Sequence, residues 1–183
     1  MKEPGTSKKV VILGAGRRGM GMAKQLITDG KDVVILDNSF ERVEMAVSKL
    51  DCLGVLGNGT DIDKLTEAGV EQAEAFIAVT NSDEINLVSC GLVSSSFPNT
   101  KTVAAIRSLI YTGSGGLKEG LLGIDYIVNP NAETARSIFT IIEHRTYALN
   151  PSHTFPTYAF RLSRPSEACM QPIYEVFWRF TGA

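Results

Sequence analysis

No stretch of about 18 consecutive apolar residues occurs, the length a spanning helix needs. The longest aliphatic runs, Val10 to Leu13 and Val33 to Leu36, have the length of strands. The polar opening MKEPGTSKK has no apolar segment of the kind a secretion signal requires, and residues 1–7 are read as a disordered leader. Cysteine is scarce: Cys52, Cys90 and Cys169 lie far apart with no CxxC spacing. That argues against a disulfide scaffold or a thiolate zinc site and suits a reducing compartment. Charge bias is missing too, with 18 Lys and Arg against 20 Asp and Glu and a net charge of −2. A basic surface for nucleic acid spread over the whole chain is therefore not expected. The two histidines, His144 and His153, lack metal-ligand spacing and read as surface or tail residues. No Tyr is followed four residues later by Lys, so the short-chain dehydrogenase pair is missing. Glycine nearly vanishes from the last 39 residues, since 16 of 17 precede residue 145.

From Lys8 to about His144, short β-branched runs alternate with stretches of helical spacing. KKVVIL (8–13), DVVILD (32–37), a weak strand near 53–56, AFIAVT (75–80), TVAAIR (102–107) and DYIV (125–128) read as strands. Helices are expected over about 17–29, from Phe40 to Leu50, over about 61–68, from Asn81 to about Ser95, and from Pro130 onward. In the second, Phe40, Val43, Ala46, Val47 and Leu50 share one face; in the last, Ala132, Ala135, Ile138, Phe139 and Ile142 form a one-sided stripe. Asn81 with Glu84 suggests a capping box, and Cys90 falls on that helix as a packing residue. Strands apolar on both faces, alternating with helices, predict an α/β fold. The expected architecture is a doubly wound, Rossmann-like parallel sheet of about six strands with helices on both faces, over residues 8–144. Residues 145–183 differ in kind, with eight of the 14 aromatic residues and four of the seven prolines. They read as an irregular tail that packs on a neighbouring surface, or as an oligomer or partner contact.

Chemistry concentrates at the ends of these strands. GAGRRG places Gly14, Gly16 and Gly19 in GxGxxG spacing between the first strand and first helix. Gly14 permits a tight turn, Gly16 a close approach of backbone to diphosphate, and Gly19 close packing of helix on strand. Free N–H groups at the helix start attract an anion. Arg17 and Arg18 oppose the helix dipole at roughly 0.3–1 kcal/mol each, a term an anionic ligand would reverse. Asp37 ends the second strand, 23 residues after Gly14, where a carboxylate can accept ribose hydroxyls. The same charge would repel a 2′-phosphate, so NADP is disfavoured against NAD, ADP or ATP. Ala15 and Asn38 flank these positions. GNGTD contributes Gly57, Asn58, Gly59 and Thr60 after the third strand, with Thr60 or Asp61 equally suited to cap a helix. Thr80 and Asn81 follow the fourth strand, and Arg107 closes the fifth with a cation at the ligand edge or in an ion pair.

The succession GAGRRG, ILD, GNGTD, AFIAVTNSDEINL, VAAIR and GIDYIVNP resembles the TrkA N-terminal domain over about residues 8–144. This is the RCK or KTN nucleotide-sensing module of potassium uptake systems and channels. The resemblance implies a cytoplasmic, non-enzymatic regulatory subunit that binds NAD(H) or ATP/ADP. It also implies a homo-oligomer, peripheral to the inner face of the membrane, acting on a potassium-translocating pore partner and not on nucleic acid. It assigns Gly14, Gly16, Gly19 and Arg17 to phosphates and Asp37 to ribose. The segment from Gly57 to Asp61 matches the family's GDATD-like stretch, with Asn58 in place of its common Asp, and Asn81 and Arg107 match later ligand-edge positions. Asn131 stands where some ATP-binding members carry an acid after the proline, so no metal is expected there. The alternative reading of the glycine turn is a small NAD-dependent oxidoreductase.

Overall fold

The computed structural model describes residues 8–108, Tyr111, residues 121–143 and the pairs Tyr158–Ala159 and Gln171–Pro172. The leader 1–7, His144, His153 and Cys169 lie outside the described residues, as does all but those two pairs of the 145–183 tail. The pairs form a two-residue antiparallel ladder.

Elements alternate along the chain: β1 (Lys9–Leu13), α1 (Arg17–Thr28), β2 (Asp32–Asp37), α2 (Phe40–Lys49), β3 (Leu53–Leu56) and α3 (Ile62–Glu67). A 3-10 turn (Val70–Gln72) precedes β4 (Ala75–Ala78), α4 (Asp83–Ser96) and β5 (Lys101–Ala105), and another (Leu121–Gly123) precedes β6 (Tyr126–Val128) and α5 (Pro130–Glu143). The strands make the expected six-stranded parallel sheet in the order β3-β2-β1-β4-β5-β6. Every pairing among β1 to β5 is parallel, with Val10 opposite both Val33 and Ala75, and Leu13 opposite both Leu36 and Ala78. Successive strands run outward from β1 on one side and, after one long crossover, on the other. In open sheets of this kind ligands bind outside the strand ends at that reversal.

The described residues fall into two packed units, one through Ala105 together with 121–125, the other 106–108, Tyr111 and Tyr126 onward. In the first, Val10 to Leu13, Val33 to Leu36 and Ala75 to Ala78 are all buried, as apolar runs covered on both faces must be. β3 is the sheet edge and leaves Leu53 and Leu56 exposed. Helices cover the sheet through small sets of residues: Gly19, Ala23 and Leu26 from α1, Val43 and Ala46 from α2, Asn86, Leu87, Cys90 and Val93 from α4. Asp125 latches its turn to β5, accepting from Thr102 N at 2.9 Å and Thr102 Oγ1 at 3.1 Å and pairing with Lys101 Nζ at 3.1 Å.

Four expectations are corrected. β4 ends at Ala78 and β5 at Ala105, so Thr80 and Arg107 each lie two residues beyond their strands. The cap of α4 is Ser82 and not Asn81: Ser82 Oγ accepts from Ile85 N at 3.2 Å and meets Glu84 Oε2 at 2.7 Å. The α2 stripe is narrower than its periodicity suggests, because Phe40 and Val47 remain exposed beside buried Val43 and Ala46. On α5, Ile138 and Phe139 are exposed while Glu133 is buried. Periodicity defines a helix face; which neighbour covers that face is a tertiary matter.

In the second unit, Asn129 caps α5, its Oδ1 accepting from Asn131 N and Ala132 N at 3.1 Å each, with Pro130 pre-set as the first helical residue. Glu133, one turn on, has both carboxylate oxygens buried without a hydrogen-bond partner among the described residues. Burial raises its pKa, against a smaller lowering by Arg136. The native state therefore binds more protons than the unfolded chain as pH rises through the ordinary glutamate range, and stability falls with pH there. Glu133→Gln is expected to unfold at higher denaturant than the parent at neutral pH. The difference should close below the ordinary glutamate range, as read by chemical denaturation at the two pH values.

Candidate functional site

The chain leaves β1 through a turn held on both sides. Gly14 N donates to Leu36 O at 2.8 Å, and Val79 N donates to Leu13 O at 2.9 Å, so the turn is fixed between β2 and β4. Gly14 has φ +107°, a conformation that strongly favours glycine, and a Cβ there would lie 3.1 Å from Thr80 N. A Cβ at Gly19 would collide with the Gly14 carbonyl oxygen, which is why α1 can begin so close to the strand. Gly16 is different. Its backbone is ordinary (φ −73°, ψ −177°), and a Cβ there would meet nothing within 4 Å. Two of the three glycines answer to the protein's own packing, and the third leaves open a space that no described residue fills.

That space lies at the start of α1, a 12-residue helix with Gly16 as its N-cap, no capping side chain and no acid in its first turn. The first N–H groups of a helix have no partner within it and carry its positive end. Arg17 and Arg18, both exposed in this turn, form no ion pair with any described residue. Cations and free donors at one helix end disfavour each other and favour an anion.

Asp37 is 4% exposed and held by backbone donors: Ala15 N at 2.7 Å on Oδ2 and Ser39 N at 2.9 Å on Oδ1. Arg42 approaches Oδ2 at 3.9 Å from α2, and Ser39 caps that helix. A carboxylate offers about four lone-pair sites, so two backbone donors leave acceptor capacity for hydroxyl groups. Asn38, between Asp37 and the cap, is exposed. Gly57 N donates to Asp37 O at 3.0 Å, which brings the β3 loop alongside. In that loop Asn58 Oδ1 accepts from Thr60 N at 3.1 Å and Asn58 O accepts from Asp61 N at 3.0 Å. Asp61, and not Thr60, caps α3, accepting from Asp63 N at 2.9 Å. Gly59 sits so close to Leu13 that any Cβ would press into its methyl groups. Asn58 thus performs locally the turn-forming work an Asp would perform, without the charge.

After β4, Thr80 Oγ1 accepts from Ser82 N at 3.2 Å and reaches Asn86 Oδ1 at 2.7 Å, while Asn81 is exposed. Fourteen of the fifteen candidate residues, Gly14 to Gly19, Asp37, Asn38, Gly57 to Thr60, Thr80 and Asn81, belong to the first unit. Arg107 belongs to the second, half-buried, with its carbonyl accepting from Asn129 Nδ2 at 3.3 Å. Asn86 is the residue that sequence reasoning overlooked: fully buried on α4, it holds the Thr80 turn. Its signal was an amide in line with Leu87, Cys90 and Val93 on the apolar face of α4. Cys90 is wholly buried, and burial pushes its thiol well above the ordinary range, so it is a packing residue and not a nucleophile. Cys52 is also shifted up, by burial and then by Asp51.

Residues 10–130 match the TrkA-N domain. The Trk system potassium uptake protein TrkA of Azorhizobium caulinodans is 39% identical over 133 residues, 71% of this chain and 29% of that protein. A Trk system potassium uptake protein TrkA homolog of Methanothermobacter thermautotrophicus is 39% identical over 126 residues, 69% of this chain and 56% of that one. The chain therefore spans under a third of the first relative and little more than half of the second. Among solved structures, the GsuK channel bound to NAD shares the fold with a TM-score of 0.58 at 18% identity, over 76% of this chain and 24% of that one.

The glycine geometry separates two substitutions. Gly19→Ala should cost about 1–3 kcal/mol or more, because the new methyl meets a backbone carbonyl that cannot give way. Gly16→Ala should leave stability nearly unchanged. Thermal melts of the two variants in the absence of ligand check the contrast.

Proposed function

The chain belongs to the TrkA-N domain family, and on that premise we propose that it is the nucleotide-sensing part of a regulator of potassium transport. It binds an adenine nucleotide, NAD(H) or ATP/ADP, and through it biases a membrane pore partner. The observation that carries this reading is the start of α1: an open Gly16, uncapped N–H groups and two arginines with no ion pair among the described residues, set beside the backbone-anchored carboxylate of Asp37. Phosphates would lie on the Gly14 to Gly19 turn with Arg17 and Arg18. The adenosine ribose would be accepted by Asp37, and the β3 loop with Asn58 and Thr60 would line the adenosine end. Thr80 and Asn81 complete the edge. The relatives named for potassium uptake support the transport role, and a channel of the same fold bound to NAD supports the ligand class.

The role is regulatory and not enzymatic: the groups gathered at the carboxyl edge are anion donors and a ribose acceptor, the equipment of binding. The protein would act from the cytoplasm at the inner face of the membrane, as a homo-oligomer, with no metal in the site. Asp37 sets specificity against a 2′-phosphate, because its carboxylate is held in position by Ala15 N and Ser39 N and cannot turn away. A nucleotide that binds one arrangement of the assembled regulator tenfold better than another shifts their equilibrium by about 1.4 kcal/mol.

Titration calorimetry of the 183-residue chain with NADH, NAD, ATP and ADP tests the reading. At least one should bind, NADPH more weakly than NADH. Arg17→Ala and Asp37→Ala should each weaken binding by about tenfold or more, as expected on losing a charge-assisted contact worth roughly 1.5–3 kcal/mol. If none of the four binds, the chain is not a nucleotide sensor.

A further inference from the structure

The amide of Asn86 stands at a junction. It is 0% exposed, and its orientation is fixed by its neighbours: Oδ1 accepts from the Thr80 N–H at 3.0 Å, and Nδ2 donates to the Ala105 carbonyl at 2.7 Å. A backbone N–H can only donate and a carbonyl only accept, so the amide cannot flip. The β4–β5 ladder runs as far as Ala78 opposite Ala104. Beyond it, the Asn86 side chain from α4 links Thr80, after β4, to Ala105, at the end of β5. Thr80 also donates its hydroxyl to the same Oδ1 at 2.7 Å, and the Gly14 turn lies against Thr80 backbone. At the other end of the amide, Ala105 is the last residue of the first unit before the chain crosses into the second. The next residue, Ile106, donates its N–H to Val128 O at 2.8 Å within the second unit.

We propose that Asn86 is a positioning residue that ties the ligand-edge turn Thr80–Ser82 to the exit of β5. Nucleotide bound against Gly14 and Thr80 is thereby felt at Ala105 and Ile106, where the chain enters the second unit. The inference rests on the nucleotide-sensing reading and adds to it the route out of the site. A displacement of Thr80 moves Oδ1, and a planar amide passes the movement to Nδ2 and the Ala105 carbonyl. An aliphatic side chain of similar size would fill the space without linking the two strand ends.

The test uses backbone and side-chain amide resonances of the 15N-labelled chain, titrated with NADH and separately with ATP. In the parent, the Thr80 and Asn81 amides, the Asn86 side-chain amide and the Ile106 amide should all shift along one binding curve. Asn86→Asp keeps an acceptor for Thr80 and loses the donor to Ala105. In that variant the Thr80 and Asn81 shifts should persist, while the Ile106 shift falls about fivefold or more, the scale of a modest coupling. Asn86 serving only stability would lower the melting temperature and leave the ratio of Ile106 to Thr80 shifts unchanged, which overturns the proposal. Thr80 shifting in the parent without Asn86 or Ile106 overturns it as well, and needs no variant to fold. If a nucleotide that binds by calorimetry leaves Thr80 unmoved in the parent, this route falls while the sensing reading stands; if none of the four binds, both fall.

Discussion

The approach of β1 to its neighbours at Gly14 is the constraint on which the rest of the first unit depends. The strand must end, reverse into α1 and stay hydrogen-bonded to β2 and β4 within a few residues. The Gly14 N–H reaches Leu36 O while the Leu13 carbonyl receives Val79 N. Only a residue without Cβ fits against Thr80, and only another fits against the Gly14 carbonyl at the helix start. Because β1 is thus held at its exit, the N–H of Ala15 meets Asp37, and the β2 end in turn holds Gly57. Three loops from three strands are registered by backbone contacts before any ligand enters, so binding would not have to order them. Preorganisation of this kind lowers the cost of binding.

What could be read from the sequence follows from how local each signal is. β-branched runs such as VVIL and DVVILD read as buried strands because they are short, β-branched and bounded by glycine or polar residues. The GxGxxG turn and Asp37 were legible because their spacing is imposed by the geometry of one βαβ unit. Caps were less legible: Asn81 and Ser82 are both capping residues, and which one takes the position depends on where β4 stops. Thr60 and Asp61 posed the same choice, decided by the turn that Asn58 makes. The exposed Phe40, Ile138 and Phe139 mark the limit of periodicity as a guide to burial. Asn86 escaped notice for another reason. Its partners, Thr80 and Ala105, lie six residues before it and 19 after it, and the second contact exists only when β4 and β5 are neighbours.

Energetically, the first unit places its costs where a ligand would relieve them. Two arginines beside the positive end of α1 raise the energy of the free protein by roughly 0.3–1 kcal/mol each, and an anion converts both terms to attraction. The opposite economy holds at Asp37, whose carboxylate already accepts two backbone N–H groups and is therefore held in place. One end of the crevice is poised to change state with a ligand and the other is a fixed reference. For a sensor this division matters, because a ligand shifts an equilibrium only by the difference in its affinity for two states. Contacts to Asp37 tend to be equal in any arrangement that preserves the sheet. Contacts at the turn through Gly14, Thr80 and Asn86 can differ between arrangements, since they continue to the end of β5. On the proposed reading, discrimination among NAD(H), ATP and ADP would be carried by the phosphate end, while the adenosine end would supply affinity common to them and, through Asp37, disfavour a 2′-phosphate.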